Sequence, residues 1–143
     1  MSGSMDQGGI FTWPVRVYYD DTDLGGIVYH GNYLRMMEHA RTEWLRDLGI
    51  DQDELLAREG KVFAVVDLAV EFHKPAVFND RLVVTAEVVE TTPVTFTFRQ
   101  GVYRGSLSGE LLCTGRVRAA CMKRETQRPV RLPELLRRRM QEC

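Results

Sequence analysis

Cysteine is scarce in this chain. Cys113, Cys121 and Cys143 are the only three thiols in 143 residues, they form no C-x-x-C pair, and one is left over. That excludes a disulfide framework and argues against a zinc centre. The three histidines, His30, His39 and His73, show no ligand spacing such as H-E-x-x-H, so no metal is expected. No apolar run approaches the roughly 20 residues that a membrane helix needs. The polar, glycine-rich residues 1–11 lack the charged-then-apolar order of a secretory signal. No membrane insertion and a cytoplasmic location are therefore expected. Net charge is only −1, which argues against a nucleic-acid partner.

What is present suffices for one core: 44% of the residues are hydrophobic. Met5 follows Ser-Gly-Ser, so residues 1–11 are expected to be unstructured or vector-derived, with the domain spanning 12–124. Charge is uneven, with +6 over residues 116–143 and −7 before them. Residues 125–143 read as a basic tail with a short helix over 133–141, whose Arg137-Arg138-Arg139 run fits a solvated helix end.

Hydropathy periods give the order of elements. Residues 15–19 alternate and predict a first strand. From Tyr29 to Leu48 the period turns helical: Tyr33, Met36, Met37, Ala40, Trp44 and Leu48 fall on one face, and Gly49 closes the helix. A shorter helix over 51–59 stops at Gly60. Strands are predicted over 61–72, 81–90, 94–103 and 111–122. Cys113 and Cys121, eight residues apart, would lie on one face of the last strand as buried thiols. The result is an α+β domain, a long central helix wrapped by a curled antiparallel sheet of about five strands. Such a sheet leaves open edges, with Val83-Val84 and Val88-Val89 as little-charged candidates, and pairing of two chains would cover them.

One segment carries chemistry. Residues 19–32 read Tyr-Asp-Asp-Thr-Asp-Leu-Gly-Gly-Ile-Val-Tyr-His-Gly-Asn, three carboxylates between a strand and the start of the long helix. A helix start offers unpaired N–H groups and the positive end of the dipole. Beside them a carboxylate can attack a polarised carbonyl or deprotonate water. The same aspartates can equally cap and solvate a turn.

The run from Asp21 to Tyr33, followed by Glu38-His39-Ala40-Arg41, closely resembles the hotdog-fold acyl-CoA thioesterases, within them the YbgC-like branch of the 4-hydroxybenzoyl-CoA thioesterase family. The likeness is strongest over residues 16–44 and extends through Val70-Glu71-Phe72-x-x-Pro75-Ala76 to about Met122. It implies a hotdog fold and hydrolysis of small to medium acyl-CoA thioesters to a carboxylic acid and free coenzyme A, with no bound cofactor because a thioester is already activated. The alternatives are a non-catalytic module binding acyl-CoA or acyl-carrier protein, and a hotdog dehydratase or hydratase. By position, Asp23 falls on the family's catalytic carboxylate, as nucleophile or general base. His30 falls on the residue whose backbone N–H polarises the carbonyl, and its imidazole is expected to orient water or protonate the leaving thiolate. Asp21 would support the loop through backbone N–H groups, while Tyr29, Asn32 and Tyr33 would line the acyl pocket or fix the turn. Glu38 is a second candidate carboxylate, otherwise paired with Arg41 or Arg35. The basic cluster that holds nucleotide phosphates before the fourth strand is replaced by Thr92-Pro93-Val94, which leaves Arg99, Arg104 or the basic tail for coenzyme A. The resemblance also implies a homodimer or homotetramer.

Overall fold

The computed structural model describes residues 3–5 and 9–142. Six strands, β1 (Ser4–Met5), β2 (Phe11–Arg16), β3 (Lys61–Phe72), β4 (Arg81–Thr91), β5 (Thr95–Arg104) and β6 (Leu111–Lys123), form one antiparallel sheet in the order β1-β2-β4-β5-β6-β3. Three helices accompany it: α1 (His30–Asp47), α2 (Gln52–Glu59) and α3 (Glu134–Glu142). The sheet of five long strands curls around α1, as the pattern predicts.

α1 buries the face that its period marks. Tyr33, Met36, Met37, Ala40, Trp44 and Leu45 are all buried against the sheet. Trp44 packs edge-on to Phe98 at 5.2 Å and alongside Phe96 at 6.3 Å, anchoring the carboxy-terminal half of the helix. Further along, Gly115 of β6 lies under Met37, where an added Cβ would come within 2.8 Å of the thioether sulfur. α2 is capped by Asp51, whose carboxylate accepts the Asp53 and Glu54 N–H groups, and it ends on Gly60 at φ 66°. Cys113 and Cys121 are both fully buried on the helix-facing side, and burial pushes the Cys113 thiol up to about 12. Neither is a usable nucleophile.

Three expectations are corrected. The first strand is Phe11–Arg16 rather than residues 15–19, because Tyr19–Asp21 forms a 3-10 turn. The Asp21 carboxylate accepts the Tyr18 N–H at 2.9 Å and draws the chain out of the ladder. The amino-terminal segment is not uniformly unstructured, since Ser4–Met5 pairs with Phe11 and Thr12, and Phe11 is buried. Residues 1, 2 and 6–8 lie outside the described ones. The open edge also lies only partly where expected. β4 sits inside the sheet over its first half, where Val83 and Val84 pair with both β2 and β5. The β2 ladder ends opposite Ala86, so the Val88-Val89 stretch has β5 alone as its neighbour among the described residues, as expected of an open edge, and β3 is open along its full length.

Residues 125–142 are integral to the core rather than an appended tail. Val130 and Leu132 donate to Cys121 and Pro93 carbonyls, and Leu132 and Leu136 are buried beside Trp44. Leu136→Ala should therefore lower unfolding free energy by about 2–5 kcal/mol, read from urea unfolding. A change below about 0.5 kcal/mol would place α3 outside the cooperative unit.

Candidate active site

The chain between β2 and α1 is built around Asp21. It is 5% exposed, its carboxylate pairs with Arg35 of α1 and accepts the Tyr18 N–H, and its carbonyl accepts the Tyr29 N–H and Asn32 Nδ2. The support expected from backbone N–H groups is present, and Arg35 adds to it. Beyond this hub the chain forms a small hairpin. Thr22 bridges Val28, the Asp23 N–H donates to the Ile27 carbonyl, and Gly26 takes φ 78° at the tip. A second loop, residues 73–80, holds this hairpin from below. Ile27 bridges Val77, the Val28 N–H donates to the Ala76 carbonyl, and the Ala76 N–H donates to the Tyr33 hydroxyl at 2.9 Å.

Asp23 therefore stands exposed on a braced hairpin. Its Oδ1 accepts the Gly25 N–H at 2.9 Å, which orients the carboxylate, and Oδ2 has no hydrogen-bond partner among the described residues. α1 starts one hairpin strand later, at His30, and its first N–H groups have no acceptor within the helix. The sequence places a free carboxylate oxygen and a helix start on either side of the same turn.

Below the helix start lies a cavity of about 220 Å³, lined by Ile27, Val28, His30, Tyr33, Phe72 and Lys74 among others. The His30 ring stacks on Phe72 at 4.4 Å, and Phe72 meets Tyr33 edge-on at 5.6 Å. Tyr33 is 2% exposed, and burial raises its phenol above the ordinary value, so the hydroxyl stays protonated. A larger cavity, about 610 Å³, opens at the far end of the sheet between β4 and α3 and contains none of the motif residues.

The structure brings His30 and Tyr33 together at the cavity, while Asp23 stands on the hairpin that leads into the helix start and is not among the residues lining it. Asn32 points to the Asp21 carbonyl and fixes the turn rather than lining the cavity. Tyr29 is 62% exposed and does not line the cavity, although its ring stacks with that of His30 at 6.5 Å. Glu38 pairs with neither Arg41 nor Arg35. It contacts Thr42 and His39 about two turns along α1, roughly 12 Å from the helix start. Arg41 turns inward to Gln100, whose amide donates to the Met37 and Thr85 carbonyls, and burial lowers its proton affinity. Two residues escaped the sequence reading. Phe72 lies in the 70–76 pattern and could have been found there, whereas Arg35, fourteen positions from Asp21, carries no local signal.

Comparison with known proteins gives the family. Residues 25–113 match the family model described as thioesterase superfamily. Acyl-CoA thioesterase YbgC of Haemophilus influenzae is 41% identical over 130 residues, 91% of this chain and 92% of that one. The chain belongs to the thioesterase superfamily. The acyl-CoA thioester hydrolase YbgC of Escherichia coli is 37% identical over 87% of this chain and 91% of its own length. Among solved structures, a probable thioesterase from Bartonella henselae superposes with a TM-score of 0.79 at 30% identity, over 87% of this chain and 99% of that one. No helix of the described residues is long and apolar enough to cross a membrane.

Proposed function

We propose that the protein hydrolyses acyl-coenzyme A thioesters at the junction of the residue 22–28 hairpin and α1. The reaction class rests on membership of the thioesterase superfamily and on the YbgC relatives. What supports the residue assignment is that Asp23 keeps one carboxylate oxygen without a partner among the described residues, on the hairpin that runs directly into the start of α1 at His30, where no side chain caps the helix. In this reading the acyl group enters the 220 Å³ cavity against Tyr33 and Phe72, small for a ligand pocket and suited to a small to medium group. The thioester oxygen accepts from the helix-start N–H groups, which stabilise the charge that develops there. Asp23 attacks the carbonyl carbon, or removes a proton from the water that does. The thiolate leaves, and the His30 imidazole, held by its stack on Phe72, is in reach to protonate it. A thioester is already activated, so the reaction calls on no further group.

Two further elements belong to the proposal. The protein acts as a homodimer, or a pair of dimers, joined through the β3 edge. It works in the cytoplasm, a reducing compartment that suits its free thiols Cys113 and Cys121.

Thiol release from a panel of acyl-CoA substrates tests the reading directly. Steady turnover supports hydrolysis, and stoichiometric binding without turnover would replace it with a binding module. His30→Ala should keep activity at about a tenth to a hundredth of wild type, since the backbone N–H remains when the imidazole is lost. Complete inactivation of a folded variant would make the imidazole indispensable.

A further inference from the structure

The thioester site leaves open what holds the charged end of the substrate, and the three sequence candidates fail for separate reasons. Arg104 is saturated: it pairs with Asp80, bonds Glu110 at 3.2 Å and donates to the Pro75 carbonyl at 3.0 Å. Arg99 pairs with Glu87, and its cross-strand neighbour Arg116 pairs with Glu90 at 3.0 Å, so that row of charge is balanced. The tail lies at the far end of the strands, where Leu132 bonds Pro93, about 30 Å along the ten residues of β5 from the catalytic end. Lys74, at the cavity itself, is tied to Glu110 at 2.7 Å.

One cationic pair has no such balance. Arg16, the last residue of β2, stands directly opposite Arg81, the first of β4. Like charges facing across an antiparallel ladder destabilise it, yet neither guanidinium has a carboxylate within ion-pair distance among the described residues. Arg81 is exposed. Arg16 is held in place by the Asn79 side chain at 3.0 Å, and Asn79 itself adopts φ 72°. Beside the pair, Tyr19 and Phe78 stack at 4.2 Å with Tyr19 76% exposed, a flat aromatic face open to solvent.

We propose that Arg16 and Arg81 form the subsite for the phosphate groups of coenzyme A, with Tyr19 and Phe78 as the platform for its adenine. This rests on the thioesterase reading. Strand order and register supply the distance. β4 is three strands from β3, whose end residue Phe72 walls the cavity, or about 14 Å across, and Arg81 lies three residues beyond the Phe72 row, about 10 Å along. The backbone span is then about 17 Å, which the long arginine side chain shortens. The pantetheine arm has as many chain bonds between sulfur and phosphate as about four residues, and so reaches about 14 Å extended. Guanidinium groups suit phosphate through paired N–H donors.

The test compares wild type with Arg16→Gln/Arg81→Gln on two substrates carrying one acyl group, the coenzyme A thioester and the N-acetylcysteamine thioester, which has no nucleotide. The double variant should raise KM for the coenzyme A thioester by about tenfold or more, with kcat within twofold, and leave the short thioester unchanged. Lysine at both positions should restore most of the loss. Calorimetric binding of free coenzyme A should weaken by the same factor, and Tyr19→Ala should weaken it a few-fold. Equal effects on both thioesters, or an unchanged coenzyme A affinity while Arg137→Gln/Arg138→Gln/Arg139→Gln lowers it, would overturn the assignment. Calorimetry also separates the two readings. A wild type that turns over nothing but binds coenzyme A through these arginines refutes hydrolysis and keeps the subsite, and turnover with unchanged affinity does the reverse.

Discussion

Replacing Asp23 by asparagine should lower kcat about a thousandfold while leaving the fold, the assembly and KM nearly unchanged. The amide keeps the geometry, since an amide oxygen can still accept the Gly25 N–H that orients the side chain at 2.9 Å. What it loses is the charge and the lone pairs of Oδ2, the only part of Asp23 with no structural duty. Losses of this size are typical when a nucleophile or general base is removed. Asp21→Asn makes the matched control. Its amide oxygen can still take the Tyr18 N–H, but the ion pair to Arg35 disappears from a 5% exposed position. That change should loosen the hairpin and lower thermal stability, with a much smaller loss in kcat. A single turnover in ¹⁸O-labelled water separates the two routes open to Asp23: label entering the aspartate means attack, and label only in the product acid means water activation. Retention of more than a tenth of the activity in Asp23→Asn would move the chemistry to Glu38 or another group.

Elements whose signal is local were readable from sequence, and those set by strand order were not. The α1 stripe appears in the periodicity because burial on one face of a helix repeats every 3.6 residues, and all but one of its six marked residues lie on the helix itself, Leu48 capping its end. The Gly60 stop of α2 is likewise local. The Tyr19–Asp21 turn was missed because Tyr18-Tyr19 has strand-forming side chains, while the bond that bends the chain comes from Asp21. The open edge was missed for a deeper reason. Hydropathy marks a strand as apolar but carries no record of its neighbours, so Val83-Val84 and the β3 valines read alike. Only the order β2-β4-β5-β6-β3 puts one inside the sheet and the other at its border. The site divides in the same way. Asp23 and His30 were legible in one continuous motif, whereas the cavity wall and the Arg35 brace depend on chain segments brought together by the fold.

That border is where the second large effect should appear. β3 is twelve residues long, pairs with β6 on one side, and presents its other edge to solvent. Val65, Val66, Leu68 and Phe72 are 43–49% exposed along it, an amount of apolar surface that an isolated edge strand rarely shows. Phe72 also lines the 220 Å³ cavity proposed for the acyl group, which ties that cavity to the edge strand. Pairing with β3 of a second copy would satisfy the ladder, bury those side chains and close the site in one step. Such an interface, when permanent, buries well over about 1,500 Å² in total. A double variant, Val66→Lys/Leu68→Lys, places four like charges across the two-fold and should yield monomers of 16.4 kDa with an intact sheet and activity lowered at least a hundredfold. Wild type should lose activity on dilution in step with dissociation, followed by light scattering and thiol release on the same samples. A fully active monomer, of wild type or of the variant, would sink both the β3 interface and the dependence of the site upon it.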